Sequence, residues 1–167
     1  MKSHPIDPQS VIGHVHLKVS DLERSIQFYT EVIGLDVTTR FGRSAAFLSA
    51  GGYHHHLGLN TWESKGAGAP PANSTGLYHF ALLLPSRKAL ARAVKRVLDH
   101  DWPLDGAADH GVSEAVYLHD PDGNGIELYR DRPKAEWPKG DHGELVMYTE
   151  PLDLDGLLAE LTDGERS

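Results

Sequence analysis

A few histidine, glutamate and tyrosine side chains of this chain are of the types that hold metal ions and move protons. Three of them, His14, His79 and Glu127, have spacings that suggest a single set of metal ligands. Imidazole and carboxylate ligands without sulfur suit Fe(II), Mn(II), Ni(II) or Zn(II), and two histidines with one carboxylate leave positions open for substrate and oxygen. The chain has no cysteine, so thiolate ligands, disulfides and a cysteine nucleophile are excluded. The residue types therefore predict a metal-dependent enzyme.

The elements that must position these side chains form an internal repeat. Residues 11–19 alternate between apolar and polar positions, which predicts a half-buried strand, and a helix is predicted to begin after Ser20 and to end at Gly34. The same pattern returns in the second half of the chain, where residues 78–84 form a strand and a second helix follows. After each helix come further strand candidates: 44–49 and 54–60 in the first half, 114–118 and 125–130 in the second. Each half is therefore predicted to be a βαβββ unit, and the fold class to be α+β with two such repeats.

The repeat also aligns the candidate ligands in two pairs. His79 occupies the position of His14, and Glu127 falls opposite His56 once two extra residues in the turn at 120–125 are allowed for. Because successive side chains of a strand alternate faces, the apolar positions should cover the helices. The opposite face should then carry His14, His16, His54, His56, His79, Tyr117 and Glu127. Burying these groups without partners would cost on the order of several kcal/mol, so this face predicts a wet cleft or a metal site.

Three of these assignments have alternatives. The run from His54 to His56 is a surface cluster, a tract that gathers metal weakly, or part of the site. Strand alternation puts His54 and His56 on the polar face and His55 on the apolar face. His56 is then a candidate fourth ligand, and either His54 or His56 a candidate acid–base or substrate-contact residue. Tyr117 is either an amphipathic sheet residue or a hydrogen-bonding group of the site. His110, judged on spacing alone, is a loop residue.

Composition narrows the functional classes. Asp and Glu number 24 against 16 Lys and Arg, and a net charge of -8 would repel nucleic acid. Residues 1–10 contain no apolar run, so neither a signal peptide nor a membrane anchor is predicted there, and a cytoplasmic location is expected. The predicted plan is an N-terminal extension, a single domain, and a C-terminal extension that serves in packing or dimer formation. Their boundaries are 1–10, 11–133 (repeat one 11–62, linker 63–76, repeat two 77–130) and 134–167.

The chain resembles the vicinal oxygen chelate superfamily, which includes glyoxalase I, bleomycin-resistance proteins and type I extradiol ring-cleaving dioxygenases. The likeness is carried by GHVHLKVSDLERSIQFYTEVIGL at 13–35, YHFALLLPS at 78–86 and DPDGNGIELYRDRP at 120–133. It implies that the two repeats form a curved-sheet barrel of the glyoxalase type. Within the superfamily, AGGYHHHLGLNTW at 50–62 and DHGVSEAVYLHDPDGNGIELY at 109–129 are most similar to sequences of the catechol 2,3-dioxygenase type.

In dioxygenases of this type, two histidines and one glutamate hold Fe(II), which here implies His14, His79 and Glu127. The resemblance further implies that one of the three consecutive histidines handles substrate protons, that Tyr117 hydrogen-bonds substrate, and that His110 lies just outside the metal ligands. Fe(II) or Mn(II) is the preferred cofactor, with Ni(II) or Zn(II) as alternatives. The expected partners are an oxygen-chelating small molecule, such as a catechol, and O2.

The chain departs from the family pattern in two ways. Most extradiol dioxygenases carry two such modules in one chain, whereas this chain has one. Glyoxalase I has a second carboxylate or an amide-related ligand at the position of His56. This chain has a histidine there instead, which argues against glyoxalase chemistry. In glyoxalase-like proteins each metal site is assembled across a dimer interface, so the resemblance implies a homodimer with two sites. The alternatives to a dioxygenase are a glyoxalase-like lyase, isomerase or thiol transferase, and a drug-binding resistance module without catalysis.

Overall fold

The computed structural model describes residues 5–71 and 73–166, which form two β-sheets with helices packed against them. Small parts of three predicted regions lie outside the described residues: residues 1–4 of the N-terminal extension, Ala72 of the linker and Ser167 of the C-terminal extension.

The first half of the chain forms the four-stranded sheet. Its elements are β1 (Val15–Lys18), α1 (Leu22–Gln27) with a π-helical continuation (Phe28–Ile33), β2 (Asp36–Phe41), β3 (Ala45–Ser49) and β4 (Leu57–Asn60). Asp21 begins the helix because its side chain accepts a hydrogen bond from the amide of Arg24 at 3.1 Å. Gly34 ends it with a φ of 90°, a conformation that glycine adopts without strain. The strand order is β1-β4-β3-β2, with β1 and β4 parallel.

The second half repeats this arrangement. Its elements are β5 (His79–Leu83), α2 (Arg87–Asp99), β6 (Gly106–Asp109), β7 (Ser113–His119) and β8 (Gly125–Asp131). The hydroxyl of Ser86 caps α2 by accepting a hydrogen bond from the amide of Ala89 at 3.1 Å. The strand order is β5-β8-β7-β6-β9, where β9 (Glu150–Pro151) comes from the C-terminal extension. Both halves are βαβββ units, so the predicted α+β fold with two repeats is confirmed.

The helices cover one face of each sheet, and the predicted apolar positions lie on that face. Seven of them are buried and three pack against the buried core: Leu17, Val19, Leu57, Leu59, Phe80, Ile126 and Leu128, with Val15, Leu82 and Leu84 at its margin. The π-helical segment contacts α2, so the two halves share one apolar core. The opposite faces of the sheets are left for polar side chains.

The strand prediction fails at three places. β2 is not predicted, because its sequence DVTTRF lacks the apolar alternation that marks a half-buried strand. In the structure all but one of its six residues are exposed. β6 has the sequence GAAD, without β-branched or aromatic residues, so it carries no strand signal. The expected strand 54–60 begins only at Leu57. His54, His55 and His56 precede the strand, and the alternation rule that divided them between two faces does not apply to them.

The C-terminal extension packs against the second half. It contains a 3-10 turn (Lys134–Glu136), β9, α3 (Leu154–Leu158) and α4 (Asp163–Arg166). Leu157 and Leu161 are buried in the core, and Arg87 of α2 donates a hydrogen bond to the carbonyl of Gly156 at 3.0 Å. None of the helices in the described residues is both long enough and apolar enough to cross a membrane.

Candidate metal centre

Two of the predicted ligands lie side by side on the open face of the second sheet. His79 is the first residue of β5, and Glu127 lies on the neighbouring parallel strand β8, two residues beyond the partner of His79. Their side chains meet with His79 Nε2 and Glu127 Oε2 3.0 Å apart. Two adjacent ligands of one metal ion, each about 2.1 Å from it and at right angles, have donor atoms about 3 Å apart. The geometry and chemistry of this pair therefore fit a divalent metal ion.

Tyr117 on β7 is directly opposite Glu127 on the neighbouring strand β8. Its hydroxyl donates a hydrogen bond to Glu127 Oε1 at 3.2 Å. Its ring lies 5.7 Å from the ring of His79, centroid to centroid. Burial raises the pKa of Tyr117 to about 12, and the charge and hydrogen bond of Glu127 contribute to the shift. The phenol therefore stays protonated at neutral pH and remains a hydrogen-bond donor.

His110 extends this line of contacts. It lies in the turn between β6 and β7, and its Nε2 is 2.8 Å from the hydroxyl of Tyr117. On the other side of the ring, Nδ1 lies 3.0 Å from the carbonyl oxygen of Tyr148. Spacing alone made His110 an ordinary loop residue, whereas the resemblance put it just outside the metal ligands. The structure brings it into contact with Tyr117, which in turn contacts Glu127.

A cleft of about 780 Å³ opens beside His79 and Tyr117. One wall belongs to the second sheet and the turn before β8, and includes His119 and Asn124. The other wall comes from residues 74–76 of the linker between the halves and from Leu77 and Tyr78, which lead into β5. The linker thus contributes to the surroundings of the candidate ligands.

The first half presents a different group of rings on its open face. His14, the third predicted ligand, lies just before β1 and is exposed, and its ring is 4.4 Å from that of His55. The ring of His16 lies between Phe47 and Trp62, 5.8 and 5.6 Å away between centroids. Burial lowers the pKa of His55, and the imidazole of His14 lowers it further.

The three consecutive histidines differ in the groups they contact. His55, not His54 or His56, is the member that contacts His14, and it also packs edge-on against Phe47 at 5.0 Å. His56 turns toward the end of β3, where its Nδ1 lies 2.9 Å from the hydroxyl of Ser49. His54 lies against its two chain neighbours: its Nδ1 is 2.7 Å from Nδ1 of His55, and its ring is 4.1 Å from that of Tyr53, centroid to centroid. The sequence pattern missed His55 because it assigned this residue to the apolar face.

The parallel pairs β1–β4 and β5–β8 show which residues of the two halves correspond to each other. This correspondence differs from the one predicted from the sequence. The amide of Val19 donates to the carbonyl of Asn60 just as the amide of Leu84 donates to that of Tyr129. On this register Glu127 corresponds to Gly58, not to His56, so the predicted pairing of His56 with Glu127 is wrong by two residues. A Cβ at Gly58 would approach the ring of His16 to 2.9 Å. The first half therefore offers no side chain at the position that corresponds to Glu127.

The ligands of the two halves are not gathered within one chain. His14 lies at the edge of the first sheet, whereas His79 and Glu127 lie on the second. Across residues 5–71 and 73–166, no three or more His, Asp or Glu side chains form a group that could hold a metal ion. One chain therefore presents two separate parts of the predicted ligand set.

Hydrogen bonds hold the turn that precedes β8 against the first half, and the sequence pattern did not predict them. Asp120 is buried and accepts a hydrogen bond from the hydroxyl of Tyr29 at 2.8 Å. Asp122 accepts hydrogen bonds from the hydroxyl of Ser20 and from Arg24, each at 2.5 Å. Burial raises the pKa of Tyr29 well above its usual value, and the charge of Asp120 adds to this. These contacts fix the start of the strand that carries the candidate carboxylate ligand.

Comparisons with known proteins agree with this fold. The chain is 46% identical over 157 residues to catechol-2,3-dioxygenase of Bacillus subtilis (strain 168), covering 93% of this chain and 54% of that protein. It is 29% identical to lactoylglutathione lyase of Arabidopsis thaliana, covering 74% of this chain and 45% of that protein. The chain thus spans about half the length of these two relatives. The crystal structure of a glyoxalase/dioxygenase from Nostoc punctiforme matches the fold with a TM-score of 0.63 at 21% identity, covering 78% of this chain and 99% of that one.

The family model described as the glyoxalase/bleomycin resistance protein/dioxygenase superfamily matches residues 11–128. The match covers both βαβββ units almost completely, and it includes all three predicted metal ligands. The chain therefore belongs to the glyoxalase/bleomycin resistance protein/dioxygenase superfamily.

Proposed function

We propose that this protein is a metal-dependent extradiol dioxygenase that cleaves the ring of a catechol-like aromatic diol. The observation that carries the proposal is the continuous line of contacts from His79 through Glu127 and Tyr117 to His110. It combines candidate metal ligands with a protonated phenol and an imidazole on one open face. The 46% identity to a catechol-2,3-dioxygenase supports the same reaction.

The proposed metal ligands are His14, His79 and Glu127, and the proposed metal is Fe(II) or Mn(II), with Ni(II) or Zn(II) as alternatives. Their nitrogen and oxygen donors suit these ions, and three protein ligands leave positions open. Such an ion, when bound, supplies the chemistry that brings a catechol and O2 into reaction. His56 is not included in the proposed set because its Nδ1 is engaged with Ser49 and Gly58 occupies the position corresponding to Glu127.

Two other side chains are proposed to act on the substrate. Tyr117 forms a hydrogen bond with a substrate oxygen, since its hydroxyl lies beside the ligand pair. His55 exchanges a substrate proton from the opposite side, since its ring lies against His14. This assigns to His55 the proton-handling role that the resemblance gave to one of the three histidines. His110 supports Tyr117 through its 2.8 Å contact.

The proposed active form is a homodimer in which each site combines His14 of one protomer with His79 and Glu127 of the other. The separation of the two parts of the ligand set within one chain supports this arrangement. A two-fold axis would then create two equivalent sites, each using both sheets.

A glyoxalase-like lyase is the second candidate function, supported by the similarity to a lactoylglutathione lyase. That chemistry uses a further carboxylate as a ligand and base in the first half. The corresponding residue here is Gly58, over which the ring of His16 lies. The dioxygenase needs no such carboxylate, and the geometry therefore supports it better.

The proposal is tested by metal analysis of anaerobically purified protein together with O2 uptake on a panel of catechols. We expect one Fe(II) or Mn(II) per chain and uptake that Glu127→Ala lowers by about 1000-fold, since it removes a ligand. The matched variant His56→Ala should keep uptake within about threefold. Nickel or zinc with no uptake on any catechol would contradict the dioxygenase and direct attention to lyase substrates.

A further inference from the structure

The C-terminal extension reaches the candidate site, although it lies beyond the residues that match the family model. The carbonyl oxygen of Tyr148 lies 3.0 Å from Nδ1 of His110, and the hydroxyl of Thr149 lies 3.2 Å from the same nitrogen. The next two residues, Glu150 and Pro151, pair with β6, the strand that leads into His110. The contact is therefore part of an ordered extension of the sheet.

Gly111 shows how closely the extension approaches the turn that carries His110. A Cβ at Gly111 would lie 2.6 Å from the ring of Tyr148 and 2.8 Å from Pro138. Its φ of +74° also lies in the left-handed region, which favours glycine. Both the backbone conformation and the space around it thus require glycine at this turn.

The partners of His110 fix the position of its proton. A carbonyl oxygen only accepts hydrogen bonds, so Nδ1 of His110 must carry a proton to bond with Tyr148. In the neutral imidazole Nε2 is then unprotonated and can accept the single phenolic proton of Tyr117 at 2.8 Å, in place of Glu127 Oε1 at 3.2 Å. Without the carbonyl, either nitrogen could carry the proton, and the ring would present a donor to Tyr117 as readily as an acceptor.

We propose that the segment Tyr148–Thr149 is a positioning element that holds His110 as the Nδ1-protonated tautomer and thereby orients the phenol of Tyr117. Thr149 is a positioning residue, because the hydroxyl of its side chain lies 3.2 Å from Nδ1 of His110. The assignment of the tautomer stands on the geometry alone. The consequence for catalysis rests on the proposed function, in which Tyr117 hydrogen-bonds the substrate.

The tautomer is tested by long-range 1H–15N correlation spectra of the full chain, labelled with 15N-histidine and supplied with excess diamagnetic Zn(II). We expect His110, assigned from the signal that His110→Gln removes, to show a protonated Nδ1 and an unprotonated Nε2. Gly111→Ala should give a mixture of tautomers because its Cβ displaces Tyr148. Gly143→Ala is the matched control: its φ is +80° and nothing lies within 4 Å of an added Cβ, so the tautomer should not change. An Nε2-protonated His110 in the unsubstituted chain, or the same change in both variants, would overturn the proposal.

The catalytic consequence is tested with Thr149→Val, which removes the hydroxyl and keeps the shape of the side chain. We expect kcat for the best catechol to fall about threefold with KM unchanged, and Thr149→Ser to restore it. A fall in kcat that Thr149→Ser does not restore would overturn the role of the hydroxyl. If no catechol supports O2 uptake, the proposed function fails, whereas the tautomer of His110 is still decided by the spectra.

Discussion

The two halves of the molecule share one backbone plan but carry different chemistry at equivalent positions. In the second half, β8 carries Glu127 and its neighbour β7 carries Tyr117 directly across from it. In the first half, the register puts Gly58 and Phe47 at the corresponding positions. The candidate carboxylate ligand and the phenol are thus replaced by a glycine and an apolar ring.

The repeat thus specifies the backbone arrangement and the buried core of each half, but not the side chains on its open face. Both halves keep the parallel pairing of the first and last strand and the helix that covers them, because these features bury the shared core. The open faces take no part in that packing, so their residues are free to diverge. We infer that the second half supplies most of the proposed metal site and that the first half supplies His14 and a surface of rings.

The largest expected effect tests whether the two halves cooperate across a dimer. His14→Ala and His79→Ala should each abolish O2 uptake, because each removes a proposed ligand. When the two variants are mixed and allowed to exchange protomers, about half of the dimers are mixed, and one of the two sites in each retains all three ligands. We therefore expect uptake to recover to about one quarter of the unsubstituted level. No recovery, despite proven exchange, would contradict a site shared in this way.

A smaller effect is expected when the second half is made to resemble the first. Tyr117→Phe removes the phenol but keeps the ring, so it should lower kcat by about 100-fold while the metal content stays unchanged. The reverse change at the equivalent position, Phe47→Tyr, adds a hydroxyl where Gly58 offers no carboxylate, and should change kcat by less than about threefold. Equal losses in both variants would mean that the phenol has no special role.

The sequence predicts the scaffold well because the scaffold follows local rules. Alternation and helix caps indicate β1, β5, β7 and β8, together with the apolar residues that pack under the helices. β2 and β6 are missed since their residues lack that alternation. These strands are held by backbone pairing with their neighbours, which a local pattern does not record.

The site is predicted less completely, because its contacts depend on long-range packing. The alternation rule fails at His55, since the strand that should contain it begins only at Leu57. The contact of His110 with the carbonyl of Tyr148 joins residues 38 apart in the chain through a backbone atom, which no residue type could indicate. His79, Glu127 and Tyr117 are predicted together because strand alternation puts all three on one face.

The smallest expected effect concerns the link between the two halves rather than the chemistry of either. The hydroxyl of Tyr29, in the first half, donates to the buried carboxylate of Asp120 in the turn before β8. Tyr29→Phe removes this charge-assisted hydrogen bond and should lower the free energy of unfolding by about 2 kcal/mol, measured by urea denaturation. Tyr53→Phe, at an exposed position, should change it by less than about 0.5 kcal/mol. If the two variants are equally stable, the hydrogen bond from Tyr29 does not hold this turn, and its attachment to the first half rests on the contacts of Asp122 with Ser20 and Arg24.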